Sequence, residues 1–514
     1  MIHCHNHRES QEPTTLHSVL LYAHSELKWL TPGLAEELRA RYDSDTILVC
    51  NTEQDRDFYR AKHPSTFKTI LRSAVDYGSL QLDVGSESDV FREARKLERE
   101  FNFRFTDLIM NDRHMGIGFS PGGLKFAVSK WSRLSNYAKA VRTFSTRLRM
   151  DQREIEDHNI SLIINPPKSM CVVARHMGIP VRFFTAVGYD DYFSWFSNEY
   201  MESNILRSVF DQTNGQQAPT LKDHYPIYKR TRTDMLDRAR LTRMLREFAY
   251  EVTRYHYYRL RGYEKARGMV PFGQASAHYN TWAGFRELKR TRPRSLSNIK
   301  GRKYIYFPLG TEPEVTLTRD SPEFNHQEFA IQAIAKELPA GALIVVKEHL
   351  STIGNRPRDF YRDLAKIPNL VFLDPTESGL AVMREAVCVA TLNGTSGFEA
   401  AVQGISSIVF GCHARYLVVD HAHEVRSWHE LRNLIDKVFY DHEDAFALEV
   451  RKRDGRRLLQ ATVSTSVDCV DMASQTAGNA SAVKEIVDLL LETLKPIAPA
   501  SKPSENSMPT ATVN

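Results

Sequence analysis

Five short apolar runs, at 303–307, 342–346, 370–373, 387–391 and 406–410, constrain the fold more than any other feature of this chain. Runs of this length bounded by turn residues are the pattern of strands buried on both faces. Helical patterns fall between or after them, at 326–337, 357–366, 378–385 and 397–403. Strands alternating with helices predict a parallel sheet covered on both sides. Ligands of open α/β sheets bind outside the carboxyl ends of the strands. Two of these runs end in reactive side chains: Lys347, Glu348 and His349 after the second, and Asn393 to Glu399 after the fourth.

The first part of the chain repeats the pattern more faintly. Strands are expected at 18–22, 46–50, 106–110, 161–164 and 180–184, with helices at 32–41, 86–101 and 168–177, the last stopped by Gly178. A chain of 514 residues is too long for one core. The reading is therefore α/β with two similar halves. Its parts are a disordered arm at 1–14, an N-terminal α/β domain at 15–190 and a helical basic insertion and linker at 191–300. A C-terminal nucleotide-binding domain follows at 301–440, then helices packing back at 441–495 and a disordered tail at 496–514.

Composition narrows the function. No apolar run reaches the roughly 18–20 residues that span a bilayer, and the N-terminus lacks the apolar segment of a secretory signal. The cysteines (Cys4, Cys50, Cys171, Cys388, Cys412, Cys469) are scattered and mostly in apolar runs, which fits buried thiols in a reducing cytoplasm. His3, Cys4, His5 and His7 have no second half at zinc spacing and read as a flexible arm. Charge is uneven. Residues 229–302 hold 19 Lys and Arg against 6 Asp and Glu, a local +13 in a chain of net +5, so the remainder carries −8. The stretch interleaves Arg254, Arg259 and Arg261 with Tyr255, Tyr257 and Tyr258. Nucleic acid, an anionic membrane surface and an anionic or lipid-linked glycan all suit that pattern, as does a plain solvated helix face.

The turn Gly394, Thr395, Ser396, Gly397 opens a predicted helix. Small residues let backbone amides approach an anion, and the helix N-terminus adds roughly half a positive charge. The same residues also make an ordinary N-cap. Lys347 and His349 alternate to one side of their strand with Glu348 on the other, so the cation and the imidazole can face one phosphate. Glu399 stands one helical turn after Thr395, where a carboxylate suits ribose hydroxyls. Glu312 and Glu314 follow the first strand of this half. Asp112 and His114 follow the expected strand at 106–110, and Asp190 and Asp191 sit in a Tyr-rich turn. Each is a candidate base for a hydroxyl acceptor and each suits a polar turn equally.

A resemblance emerges from the order of these pieces. Phe307-Pro308-Leu309, Glu312-Pro313-Glu314, Lys347-Glu348-His349, Gly354-Asn355-Arg356 and Gly394-Thr395-Ser396-Gly397-Phe398-Glu399-Ala400 occur in that sequence. The chain resembles the capsular polysaccharide biosynthesis family of bacterial surface-carbohydrate glycosyltransferases, and is similar to its Kdo-transferase branch. The resemblance covers about residues 303–412. It implies a GT-B-like architecture of two Rossmann-like domains facing a cleft, with no required metal or cofactor. The nucleotide-sugar donor would lie on the C-terminal domain, held by Lys347, His349, Thr395, Ser396 and Glu399. It also implies a glycan or lipid-linked glycan acceptor, direct displacement, and a place in the cytoplasm or at the inner face of the plasma membrane; Asp112, His114 and Glu312, read from their own positions, are the expected catalytic residues. Leu350 stands where the family carries proline, and Gly310 where it carries histidine. Three other readings stay open: transfer from a CDP-linked alditol, binding of nucleic acid or another polyanion through 229–302, and a non-catalytic member of the same family.

Overall fold

The computed structural model describes residues 16–24, 27–73, 85–112, 136–221, 229–263, 272–310, 327–357, 359–469 and 480–495. His114, Glu312, Glu314, the histidine-rich arm and the tail after 495 lie outside them.

Six strands open the chain: β1 (Ser18–Tyr22), β2 (Asp45–Cys50), β3 (Thr69–Arg72), β4 (Leu162–Ile164), β5 (Val181–Ala186) and β6 (Tyr192–Phe196). Six more follow: β7 (Tyr304–Pro308), β8 (Leu343–Lys347), β9 (Leu370–Leu373), β10 (Cys388–Thr391), β11 (Ser407–Val409) and β12 (Ala422–Glu424). A short last strand, β13 (Val467–Asp468), pairs antiparallel with β6. The first sheet runs β13-β6-β5-β4-β1-β2-β3 and the second β12-β11-β10-β7-β8-β9. Each contains the order of a dinucleotide-binding half, with its first strand beside its fourth. The fold is therefore two Rossmann-like units, as expected of a GT-B-like chain. Strands β1, β7 and β10 are apolar and buried almost throughout, because helices cover both faces.

Two expectations are overturned. Residues 106–110 form a helix, Phe105–Asn111, not a strand. Phe105, Leu108 and Ile109 recur at helical spacing and bury one side against the first sheet, a pattern that a five-residue window mimics with an apolar run. Tyr192–Phe196, assigned to the helical insertion, is a strand. Its two faces are both aromatic: Phe193 and Trp195 join the core on one side, Tyr192 and Phe196 that on the other. Alternation was invisible because both phases are apolar.

The basic stretch is helical: Lys229–Asp237, Leu241–Leu260 and Gly273–Arg290, with the last two packed together as a hairpin. The hairpin sits on the second unit. Gly284 and Gly354 meet so closely that a Cβ on Gly284 would stand 2.8 Å from the Gly354 nitrogen. Gly354 itself has φ +100°, open to glycine alone at little cost. The chain then adds Arg294 beside β9, with Arg294 N donating to Phe372 O at 2.8 Å and Asp374 N to Arg294 O at 2.9 Å, which covers an otherwise open sheet edge.

The end of the chain returns to the first unit. Val483, Ile486, Val487 and Leu490 of the Ala480–Leu494 helix fill one face of the first sheet. Trp195 Nε1 donates to Ile486 O at 2.8 Å, and Arg182 Nε to Thr493 Oγ1 at 2.9 Å. The two units meet in one apolar cluster built from Val187, Tyr189 and Phe210 on one side and Phe398, Ala401 and Tyr416 on the other.

Candidate functional site

Register places the candidate residues in a row. Pro308 pairs with Lys347, and Tyr306 pairs with Val389, so Thr391 is level with Pro308 two residues on. Lys347, Pro308 and Thr391 thus end three neighbouring strands, and at about 4.8 Å per strand the outer two are about 10 Å apart along the backbone. The order reverses between β7 and β10, and the crevice outside their carboxyl ends is where such sheets take ligands.

The loop after β10 enters this crevice. Gly394 N donates to Thr391 Oγ1 at 3.0 Å, folding the chain sharply into the Thr395–Val402 helix. Gly394 is its N-cap, with φ −82° and ψ 159°. The first amides of a helix have no acceptor within it, so the amides of Thr395 and Ser396 are suited to an anion. Gly397 is obligatory for packing: a Cβ there would overlap the ring and hydroxyl of Tyr416. Thr395 is exposed and Ser396 half-buried. Glu399 lies one turn deeper and its charge reaches the buried Tyr306; burial first and Glu399 second push that phenol's pKa upward. Tyr306 belongs to the same sheet face as Val345 and Val389, and alternation puts Lys347 on that face as well.

Glu348 points to the other face and is fully buried. It accepts from Arg356 Nε and Nη2, both at 2.8 Å, from Tyr361 Oη at 2.7 Å and from Thr352 Oγ1 at 2.6 Å. The His349 amide donates to it at 2.9 Å. Burial alone would raise its carboxyl pKa, but Arg356 and the Thr352 and Tyr361 hydroxyls overcome that and hold it below the ordinary range. Arg356 also donates to Gly310 O at 2.7 Å, and Gln327 Oε1 accepts from Gly310 N at 2.7 Å. The network therefore fixes the ends of β7 and β8 together. Its anion is structural, and alternation puts Lys347 on the opposite face of β8.

His349 caps a one-turn 3-10 helix, Leu350–Thr352. Its Nδ1 lies 2.5 Å from Ser351 Oγ and receives the Ser351 amide at 3.4 Å. With Nδ1 as acceptor the ring proton sits on Nε2, which then donates outward. Partial burial, then the Lys347 cation, push the imidazole below its usual pKa, so the ring is neutral at pH 7. Leu350 occupies the first position of that turn, where a backbone amide is not needed by the helix. Its side chain packs onto the second unit's core.

Three residues of the crevice were not singled out from the sequence. Arg415 lies with its guanidinium 4.9 Å from the Phe398 ring, beside the start of the Thr395–Val402 helix. His413 Nδ1 is 2.6 Å from Glu202 Oε1, and its ring stacks on Tyr200 at 4.1 Å. Both follow β11, so the signal was present: a polar stretch just past the apolar run 406–410. From the first unit, Lys168 sits 5.6 Å from the Tyr200 ring centroid. Burial lowers its pKa against the opposing pull of Glu199.

Gly188 brings the first unit against the helix start: a Cβ on it would stand 2.8 Å from the Thr395 methyl and 3.3 Å from Arg415 Nη2. It belongs, with Asp190 and Asp191, to the turn joining β5 to β6. Asp191 O accepts from Cys469 N at 2.9 Å. Asp112 does not end a strand; it caps the Phe105–Asn111 helix, its amide donating to Ile109 O at 3.2 Å. The geometry that was to aim it into the cleft is absent. A cavity of about 590 Å³ near Gln332, Leu338, Ala342 and Pro368 opens at the amino edge of β8 and β9, the end of the sheet opposite Lys347.

No protein-family model matches the sequence, and no curated protein matches it either. Among solved structures, the chain is similar to KpsC, a beta Kdo 2,7 transferase of Thermosulfurimonas dismutans, at 14% identity and a TM-score of 0.30, over 66% of this chain and 89% of that one. It is similar to a UDP-GlcNAc 2-epimerase of Neisseria meningitidis bound to UDP-GlcNAc, at 11% identity and a TM-score of 0.27, over 92% and 99%. The N-terminal domain of a Candida albicans trehalose-6-phosphate phosphatase aligns at 8% identity and a TM-score of 0.34, over 94% and 99%. Likeness at these scores carries no argument of its own; the two-unit fold stands on the strand orders.

Proposed function

We propose that this chain is a glycosyltransferase that holds a nucleotide-sugar on its second unit and transfers the sugar to a hydroxyl of a glycan or lipid-linked glycan. One observation carries the reading: the Gly394–Ser396 turn follows β10, and Lys347 ends β8 with His349 just beyond it, on either side of β7 at the switch point of a doubly wound sheet. The order of the motifs shared with surface-carbohydrate glycosyltransferases supports it.

In this reading the diphosphate lies across the helix start. The amides of Thr395 and Ser396 and their hydroxyls donate to its oxygens, Lys347 supplies the cation, and the neutral His349 donates from Nε2. Arg415 adds a second cation beside Thr395. As the bond to the sugar breaks, negative charge grows on the departing phosphate, and donors already in place stabilise it without reorganising. Glu399 accepts from the ribose hydroxyls. The proton of the acceptor hydroxyl goes to a base; Asp112, His114 and Glu312 remain proposed for that role, although Asp112 ends a helix.

Thermal unfolding of the wild-type chain with CMP, UDP, GDP or CDP tests the donor site. At least one nucleotide should raise the midpoint, and His349→Ala should abolish most of that rise. No stabilisation by any of the four sinks the assignment. CDP stabilisation with transfer from a CDP-alditol, and none from a nucleotide-sugar, would favour the alditol reading instead.

A further inference from the structure

The helical hairpin carries a surface that the sheet site does not use. On the Leu241–Leu260 helix the exposed positions are Leu241, Thr242, Leu245, Arg246, Ala249, Tyr250, Thr253, His256, Tyr257, Arg259 and Leu260. None is acidic. The two carboxylates of this helix are held in ion pairs: Glu251 is buried against Arg254, and the half-buried Glu247 pairs with Arg243 at 2.9 Å and with Arg246 at 3.3 Å. Leu245 is 56% and Leu260 87% exposed. At the tip Tyr257, Tyr263 and Phe272 are exposed beside Arg259 and Arg261. The partner helix continues the charge pattern, since its exposed residues are Ala277, Tyr279, Arg286, Lys289 and Arg290.

We infer that this face of the hairpin docks on an anionic phospholipid surface, with the leucines and aromatics entering the headgroup boundary and the arginines meeting lipid phosphates. A helix face whose exposed positions carry arginines and no acidic residue is complementary to such a surface. Aliphatic side chains find a partner there that nucleic acid does not offer. Phosphodiester and base stacking would use Arg and Tyr, but leave three leucines in water. Among the described residues no helix is long and apolar enough to cross a membrane, so the contact is with one surface. The hairpin is seated on Gly354 and the Lys229–Asp237 helix on the Leu350–Thr352 turn, so the basic helices pack just after His349. This inference stands apart from the sugar-transfer reading, because it needs no nucleotide.

Flotation of the full-length chain with vesicles tests it, using phosphatidylcholine alone and phosphatidylcholine mixed with phosphatidylglycerol. The wild type should float with the mixed vesicles and be released by salt. Leu245→Ser with Leu260→Ser, and separately Arg246→Gln with Arg259→Gln, should each weaken binding by about tenfold or more. All four residues are exposed, so an unchanged unfolding midpoint confirms that the variants fold. His349→Ala should float as the wild type does, which separates this result from failure of the donor site. Three outcomes overturn the inference: no flotation with mixed vesicles, variants that float undiminished, or retention of RNA or DNA without retention of vesicles. A dimer in gel filtration that the leucine substitutions dissociate would assign the face to a second copy, and would also overturn it.

Discussion

Replacing Glu348 by alanine should unfold the second unit at a markedly lower temperature. The side chain is wholly buried and accepts five hydrogen bonds, two of them from an Arg356 guanidinium whose side chain is 2% exposed. Alanine leaves that cation buried without its anion, which costs about 3–5 kcal/mol. At roughly 2–4 °C per kcal/mol for a unit of this size, the midpoint falls by about 6–20 °C. Urea unfolding followed by circular dichroism gives the free energy directly. A paired Glu348→Met, Arg356→Met variant removes both charges and should recover most of the loss. The pH sign follows from the depressed carboxyl. Its stabilisation is complete above the unfolded glutamate value of about 4.3 and is lost as pH falls through the lower folded value. Glu348→Gln should therefore flatten the acid limb of the stability profile. An alanine variant within about 1 kcal/mol of wild type would refute the reasoning, since the ends of β7 and β8 would then be held by something else.

Gly397→Ala should shift the start of its helix off Tyr416 and lower nucleotide affinity by at least about tenfold, read by titration calorimetry, while Gly301→Ala, in open space though at φ +78°, should leave affinity unchanged. Leu350→Pro should fold, because the position opens a helical turn and the preceding His349 has φ −83° and ψ 126°, compatible with a following proline; a midpoint loss beyond about 2 kcal/mol would contradict this. On the Tyr137–Asp157 helix, burial pushes the Glu154 carboxyl up to about 7 and that of Asp151 up to about 6, so wild-type stability should decline as pH rises from about 4 to 7, and Glu154→Gln should remove roughly half of that decline in denaturant unfolding.

Strands buried on both faces were legible from the sequence because a run of apolar residues ending in Lys347 or Thr391 has few other uses. The parallel order followed from the alternation with helices. Helix Phe105–Asn111 and strand Tyr192–Phe196 are each too short for a period to show: Leu108, Ile109 and Met110 read as an apolar run, and aromatics fill both phases around Ser194. Lys347, His349 and the Gly394–Glu399 segment were legible as strand-end residues. Arg415 and His413 were legible only as a polar stretch past a strand; that His413 meets Glu202 depends on how the two units meet, across 211 positions. The split between His349 and Glu348 was partly legible. Alternation separated them, but the fixing of Glu348 by Arg356 and Tyr361 is tertiary.

The return of the chain end to the first sheet has a consequence for biosynthesis. The face that holds Val19 and Leu21 is completed by Ile486 and Leu490, and the Trp195–Ile486 bond closes a separation of 291 residues. While the ribosome is still making the second unit, the first presents an apolar wall that the Thr31–Tyr42 helix covers only in part. Its strands can pair early, but their final layer arrives last. Such a chain depends on holding chaperones during elongation more than one whose domains close in order. A truncation before residue 467 should accordingly aggregate through its first half, although every residue of that half's parallel strands is present.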